Sequence, residues 1–169
     1  QNVNVIQATQ PVISNLEIKN NTITVTVVGG TAPYRYSLDG LNWQDSNFFD
    51  NLPRGENSIY VKDFYNCEPT HIQVTVPNLI NAITPNGDNK NDYIDYSALS
   101  YKKNVVFTVY DRYGNMMYRA DKIRNYTWDG TSNGKKISTG TYWYTITWTE
   151  NDKNNTETKY SGWVLVKNI

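Results

Sequence analysis

The sequence predicts an all-β protein built from two β-sandwiches in tandem. Apolar and polar residues alternate with a period of two in many segments, and no segment of ten residues or more carries an apolar stripe of helical period. The chain is rich in threonine and asparagine and contains 14 tyrosines and 5 tryptophans, a composition typical of strands joined by turns. Pro77, which cannot donate to a strand ladder, separates two sets of alternating segments. The predicted domains are therefore residues 1–77 and 78–169.

The first set of predicted strands begins where Ile23, Val25 and Val27 alternate with three threonines. Three further alternating segments follow at residues 34–38, 59–61 and 72–76. Asp39-Gly40 is a dipeptide that favours a hairpin turn. Strands spaced about 10–15 residues apart are typical of a β-sandwich.

The second set of predicted strands comprises residues 105–110, 116–119, 126–128, 141–149 and 161–167. Gly114 can adopt the positive φ that a turn between the first two of these strands requires. The longest strand, 141–149, directs Tyr142, Tyr144, Ile146 and Trp148 to one face. The last strand is expected to be a sheet edge, to which a strand of a partner could add.

Composition and charge exclude several functional classes. The 16 basic and 16 acidic residues cancel, so no field is expected to attract nucleic acid. No run of 18 apolar residues predicts a transmembrane helix. Gln1 is not a natural start, so we expect the chain to be a fragment of a longer protein.

The sequence contains no recognisable catalytic constellation. Cys67 is the only cysteine and His71 the only histidine. On one strand these two residues would lie about 13 Å apart, at about 3.3 Å per residue, so we expect no Cys–His catalytic pair. Cys67 is expected to be a small buried hydrophobe, with a weakly exposed group as the alternative. The chain lacks a Gly-x-Ser-x-Gly elbow, a phosphate-binding loop and zinc-ligand spacing, and we predict that it is not an enzyme.

Five short motifs follow one another in the second predicted domain. They are Ile-Thr-Pro-Asn-Gly-Asp-Asn-Lys-Asn-Asp at 83–92, Tyr-Asp-Arg-Tyr-Gly at 110–114, Trp-Asp-Gly at 128–130, Thr-Gly-Thr-Tyr-Trp-Tyr at 139–144 and Gly-Trp-Val-Leu-Val-Lys at 162–167. In this order and spacing they resemble the gliding-motility-associated C-terminal domain, the type B sorting domain of the type IX secretion system. Residues 29–37 and 61–67 in turn resemble motifs of the immunoglobulin-like repeats of gliding adhesins.

The resemblance implies two tandem immunoglobulin-like β-sandwich domains, an adhesin-type repeat followed by a sorting domain. It implies that the sorting domain directs a cargo protein across the outer membrane of a Bacteroidota-type cell, to the surface or the medium. The implied partners are the secretion translocon and a dedicated outer-membrane protein. The implied sorting-motif residues are Pro85, Asn86, Gly87, Asp88, Asn91, Asp92, Asp111, Arg112, Gly114, Trp128, Gly130, Gly140, Tyr142, Leu165 and Lys167.

Loop 86–92 is the densest cluster of side-chain oxygens in the sequence, and it allows two interpretations. Asn86, Asp88 and Asp92 offer the hard oxygen ligands that calcium prefers, and no histidine or thiol lies nearby for a transition metal. Alternatively, these side chains form hydrogen bonds to the backbone of their own turn.

The other motifs also allow a structural interpretation. Arg112 is expected to form a forked pair with a carboxylate, or to contact the secretion machinery. Trp128 is expected to be a core residue followed by a turn. The aromatic residues of the last strands could fill the core or bind a sugar or protein partner. The alternative function is therefore a carbohydrate-binding β-sandwich of a surface adhesin or secreted enzyme, which exposure of Trp143 or Trp148 in a shallow groove would favour.

Overall fold

The structure, a computed structural model, describes residues 9–120 and 125–168 and confirms the all-β prediction. The strands are β1 Val12–Lys19, β2 Thr22–Val28, β3 Arg35–Ser37, β4 Phe48–Phe49, β5 Gly55–Lys62, β6 Thr70–Val76, β7 Ala82–Ile83, β8 Ile94–Asp95, β9 Lys103–Tyr110, β10 Met116–Ala120, β11 Thr127–Trp128, β12 Thr131–Ser132, β13 Lys135–Lys136, β14 Gly140–Thr149 and β15 Glu157–Val166. Within the described residues the one helical segment is a 3-10 turn at Ser97–Leu99, and no helix there is long and apolar enough to span a membrane.

One large sheet runs through both halves of the chain, in the order β10-β9-β14-β15-β1-β2-β4, with β7 also paired to β15. A second sheet has the order β3-β5-β6, and β8–β11 and β12–β13 form two short pairs. Strands from the two predicted domains do not interleave, but they meet where β1 pairs in parallel with β15. The division into two domains at Pro77 therefore stays a prediction.

The last strand is not the sheet edge that the sequence suggested. β15 pairs with β14 over its whole length, with β1 at Glu157–Ser161 and with β7 at Leu165–Val166. It also begins four residues earlier than the predicted start at 161. The expectation was wrong because the covering strands come from distant parts of the chain, and β1 was not among the predicted strands.

The alternation in β14 and β15 divides the large sheet into a core face and an outer face. Tyr142, Tyr144, Ile146 and Trp148 share one face, as predicted, and that face is buried, while their neighbours on β14 point outwards. The buried residues of both halves belong to one hydrophobic cluster. Burial of each large apolar side chain stabilises the fold by about 1.5–3 kcal/mol.

Three buried tyrosines form the centre of this core. The rings of Tyr96, Tyr144 and Tyr160 lie with centroids 5.7–6.1 Å apart, and the hydroxyl groups of Tyr96 and Tyr144 share a hydrogen bond of 2.9 Å. Burial raises the pKa of both hydroxyls, so both stay neutral and retain the hydrogen bond. Gly162 lies directly opposite Tyr144 in the β14–β15 register. A Cβ at Gly162 would lie 2.5 Å from the Tyr144 hydroxyl oxygen.

We predict that Gly162→Ala destabilises the fold by about 1–3 kcal/mol, because the added methyl group overpacks the Tyr144 site. Urea unfolding followed by fluorescence measures this loss. Gly140→Ala is the matched control, since its Cβ would meet only Tyr142 Cε2 at 3.9 Å and its φ is not positive. Equal midpoints for the two variants would contradict the prediction.

Candidate functional site

The sequence motifs gather at one end of the large sheet. β9 ends at Tyr110, β14 begins at Gly140, and β15 and β7 end at Val166 and Ile83. Because β14 is antiparallel to both β9 and β15, while β7 is parallel to β15, these four strand termini lie at the same end. We call this the motif end, comprising residues 84–92, 111–115, 129–139 and 167–168.

Loop 86–92 is held by its own side chains around Asp92. Oδ1 of Asp92 accepts hydrogen bonds from the backbone N–H groups of Asn86 (3.0 Å) and Gly87 (2.9 Å), and Oδ2 accepts one from Asn89 (2.8 Å). Asp88 similarly accepts a bond from the backbone N–H of Lys90 at 2.8 Å. The hydrogen bond from Gly87, with those from Asn89 and Asn86 and the nearby charge of Lys136, lowers the pKa of Asp92 against the opposing effect of desolvation. The geometry therefore favours the self-bonded turn.

The Trp-Asp-Gly motif connects this loop to the end of β15. Gly130 has φ +74°, and a Cβ there would lie 3.2 Å from Pro85 Cγ, 3.3 Å from Val166 Cγ1 and 3.5 Å from Ile83 Cδ1. Only glycine combines this conformation with such a close approach. The Lys136 ammonium group donates a 3.0 Å hydrogen bond to the carbonyl of Pro85, which joins the same two segments.

Trp128 is the core residue that the sequence predicted. Its side chain is buried, and the indole N–H donates a 2.8 Å hydrogen bond to the carbonyl of Thr131. Its ring packs edge-on against Tyr142 at a centroid distance of 6.0 Å. The Tyr142 hydroxyl donates in turn to the carbonyl of Ser138 at 3.0 Å. These contacts support the segment before β14 from inside the core.

The turn after β9 is organised by Asp111. Its Oδ1 accepts hydrogen bonds from the backbone N–H groups of Tyr113 (2.8 Å) and Asn115 (2.9 Å), while Gly114 has φ +82°. The side-chain amide of Asn115 is the main cause of the lowered pKa of Asp111. Arg112 does not form the predicted forked pair. Its guanidinium lies over the Tyr113 ring, 5.3 Å from the centroid, whereas the two ion pairs among the described residues lie elsewhere.

A groove of about 480 Å³ separates this turn from the start of β14. Asp111 and Arg112 line one side, and Gly140 and Tyr142 line the other. Tyr113 stands at the rim with 77% of its surface exposed. The predicted residues of two motifs that are distant in sequence therefore border one surface depression.

Some of the remaining sorting-motif residues are packed against other side chains, and others are exposed at the surface. Pro85 and Gly130 pack against each other within the motif end, and Trp128 is buried beneath it. Leu165 lies on the outer face and Lys167 is exposed. Sequence reasoning missed Lys136 and also Asn168, whose backbone N–H donates to Thr139 Oγ1 at 3.0 Å. No local signal indicated either residue, because both contacts join segments distant in sequence.

The structure corrects the expectation for Cys67, which is exposed and not buried. His71 stacks on Tyr60 with ring centroids 4.5 Å apart, so its ring is engaged in packing. Across residues 9–120 and 125–168, no three His, Cys, Asp or Glu side chains form a group that could hold a metal ion.

Comparison with protein families identifies this class of domain. The model of the CHU_C type IX secretion signal domain matches residues 76–166, from the last residue of β6 to the end of β15. The match covers more than half of the chain, so the chain belongs to this family. No curated protein matches the chain. The matched segment includes β7 to β15 and the motif end up to Val166, but not β1, which covers part of β15.

We predict that Asp92→Asn destabilises the domain at neutral pH and that the difference disappears in acid. The pKa of Asp92 is lowered on folding, so its carboxylate stabilises the fold above the unfolded pKa and loses this effect as the pH falls through the folded pKa. Urea midpoints of both proteins at about pH 7 and about pH 2 measure the change. A constant difference at both pH values would contradict the role assigned to the charge.

We expect calcium titration to give no one-site heat at millimolar concentration, because Asp92 and Asp88 already accept backbone hydrogen bonds within loop 86–92. Titration calorimetry of the original chain and of Asp88→Ala provides the measurement. A one-site isotherm that is lost in Asp88→Ala would instead establish the calcium site at Asn86, Asp88 and Asp92.

Proposed function

We propose that this chain carries a sorting signal that directs an attached cargo protein through the type IX secretion system to the cell surface or the medium. The signal is recognised by the translocon and a dedicated outer-membrane partner. The observation that supports this proposal is the convergence of five separated motifs at one end of the sheet, and all of their residues except Lys167 lie within the segment that matches the family. The chain itself has no catalytic role.

The motif end combines rigid support with exposed contact groups. Gly130 packs against Pro85 of loop 84–92 and Val166 of β15, and Trp128 supports this contact from the core. Hydrogen bonds to Asp111 fix the turn that presents Arg112 and Tyr113. Arginine and tyrosine are frequent among the residues that contribute most to protein interfaces. A rigid presentation lowers the entropy that a partner must lose on binding. We therefore assign recognition to the exposed Arg112, Tyr113 and Lys167.

Recognition by strand addition to β15 does not fit this arrangement. β1 and β7 cover most of the side of β15 that faces away from β14. A partner strand would have to displace them. The proposal therefore rests on side chains at the motif end and not on the backbone of the last strand.

The alternative function, carbohydrate binding, is favoured by one observation. Trp143 is 45% exposed beside a shallow groove on the outer face, whereas Trp148 is buried in the core. Of the two tryptophans that could form the platform on β14, only Trp143 is accessible. This module would accompany export in a surface adhesin or secreted enzyme.

Export of a fluorescent protein fused ahead of residues 1–169, in a type IX-competent host, tests the proposed function. The whole chain is used because β1 covers β15. The original fusion should appear at the surface or in the medium. Arg112→Ala, Tyr113→Ala and Lys167→Glu should each lower the exported fraction, by about fivefold or more if each contributes at least about 1 kcal/mol to recognition.

Two controls repeat the tyrosine and the lysine substitutions at positions away from the motif end. Tyr65→Ala removes another exposed tyrosine, and Lys153→Glu reverses a charge in the loop at the opposite end of β14. Both should export like the original. Surface substitutions of this kind usually change stability by less than about 0.5 kcal/mol. Retention of the original fusion inside the cell would refute the proposal. Equal export of all variants would show that recognition does not depend on these exposed residues of the motif end.

A further inference from the structure

One side of β15 has an opening between the strands that cover it. β1 makes its last pairing at Lys19–Ser161, and β7 makes its first at Ala82–Leu165. The backbone N–H of Leu165 donates to Asn81 on this side, at 2.8 Å. Because alternate residues of a strand direct their backbone groups to the same side, those of Trp163 point into the opening.

A shallow groove of about 430 Å³ lies over this opening, on the outer face of the sheet. Trp143 and Trp163 face each other in the β14–β15 register and are 45% and 50% exposed. Ser161 and Leu79 also line the groove, and Lys19 borders it at the end of β1. The groove thus combines two accessible indole rings with nearby polar groups.

The two exposed tryptophans differ from the buried ones in their polar atoms. The indole N–H groups of Trp128 and Trp148 donate to protein oxygens, the carbonyl of Thr131 and Oε1 of Glu150. Buried indoles usually have such a partner, and exposed indoles are free to donate to a ligand. Trp143 and Trp163 are instead about half exposed to solvent.

Polar donors lie beside the rings. Oδ1 of Asn20 accepts a hydrogen bond from Arg54, so the amide NH₂ of Asn20 remains as the donor of that side chain. Lys19 belongs to neither of the ion pairs found in the described part of the chain, and Ser161 adds a hydroxyl group. These groups can donate to hydroxyl oxygens of a ligand lying on the indoles.

We propose that this groove binds a neutral glycan, with a pyranose ring against the indoles of Trp143 and Trp163 and sugar hydroxyls bonded to Asn20, Lys19 and Ser161. A pyranose presents an apolar C–H face and a rim of hydroxyls, which matches apolar rings bordered by polar groups. An apolar peptide would leave those polar groups desolvated without partners. A phosphorylated ligand would find Lys19 as the one cation among the described residues that line the groove, since the neighbouring Arg54 guanidinium is already bonded to Asn20.

The size of the groove agrees with this class of ligand. A volume of about 430 Å³ lies within the range of small-ligand sites, about 300–1,000 Å³. The opening spans only Gly162–Val164, at the short end of the usual range of strand lengths, so it offers little backbone to a partner strand.

The site is formed jointly by both halves of the chain. Lys19 and Asn20 precede the segment that matches the family, whereas Leu79, Trp143 and Trp163 lie within it. Glycan binding therefore requires the β1–β15 pairing that brings the halves together. The inference rests on the alternative function, carbohydrate binding, and specifies its site, and it is independent of the proposed export function.

The test is binding of three neutral hexasaccharides, of β-1,4-linked glucose, mannose and N-acetylglucosamine, to residues 1–169. Calorimetry and quenching of tryptophan fluorescence report binding. At least one hexasaccharide should bind at micromolar to millimolar concentration. Trp163→Thr and Trp143→Thr, which retain strand propensity, should each lower the affinity by about tenfold or more. Trp163→Tyr should recover part of it, and Lys19→Ala should weaken binding with both rings intact.

Tyr113→Ala is the matched control, since it removes an exposed ring at the motif end. It should bind sugar normally while lowering export, and Trp163→Thr should show the opposite pattern. Circular dichroism and urea midpoints confirm that each variant is folded. Absence of binding to all three sugars at millimolar concentration, or equal binding by the tryptophan variants, would overturn the inference. So would self-association that Trp163→Thr abolishes, since it would show that a second copy occupies the groove.

Discussion

The ten-residue antiparallel pairing of β14 with β15 is the constraint on which the rest of the structure depends. It runs without a register shift from Gly140–Val166 to Thr149–Glu157. A shift of one residue would exchange the two faces, moving Tyr144 and Trp148 to solvent and Trp143 and Trp163 into the core. The same register places Gly162 under Tyr144, aligns the strand termini at the motif end and brings the two exposed indoles together. Core, motif end and outer groove are therefore consequences of one alignment.

A buried ion pair stabilises the end of the β14–β15 pairing that lies opposite the motif end. Lys102 Nζ lies 2.6 Å from Glu150 Oε2, and both side chains are almost fully buried. A buried ion pair loses its hydration and is tolerated only when its other hydrogen-bonding positions are filled. Trp148 Nε1 and Thr158 Oγ1 supply these bonds to Glu150 Oε1, at 2.6 and 3.1 Å. The ion pair thus ties the segment before β9 to both β14 and β15, opposite the motif end.

The motif residues divide into those that support the surface and those that a partner can contact. Trp128 and Gly130 pack inside, and Asp92 and Asp111 use their carboxylates to close their own turns. Arg112 and Tyr113 project from a turn that is already organised. A partner that binds there contacts a turn that is already ordered in the folded domain. Binding therefore requires little further loss of conformational entropy, which favours specific recognition.

The sequence by itself determined the strands and their faces, because side-chain alternation depends only on the local chain. It was sufficient to place Tyr142 and Trp148 on one face of β14, Trp143 on the other, and Trp128 in the core, whereas the structure showed which face of β14 is buried. It also indicated the turn at Gly114 and the family of the second segment. Alternation reports which face a residue occupies but not which strand lies beside it. Strand neighbours are chosen by packing between residues distant in sequence. For that reason only the tertiary structure revealed β1 beside β15 and the groove shared by Asn20 and Trp163. For loop 86–92 the sequence offered both a calcium site and a self-bonded turn, and the structure favours the turn, in which Asp92 accepts backbone hydrogen bonds.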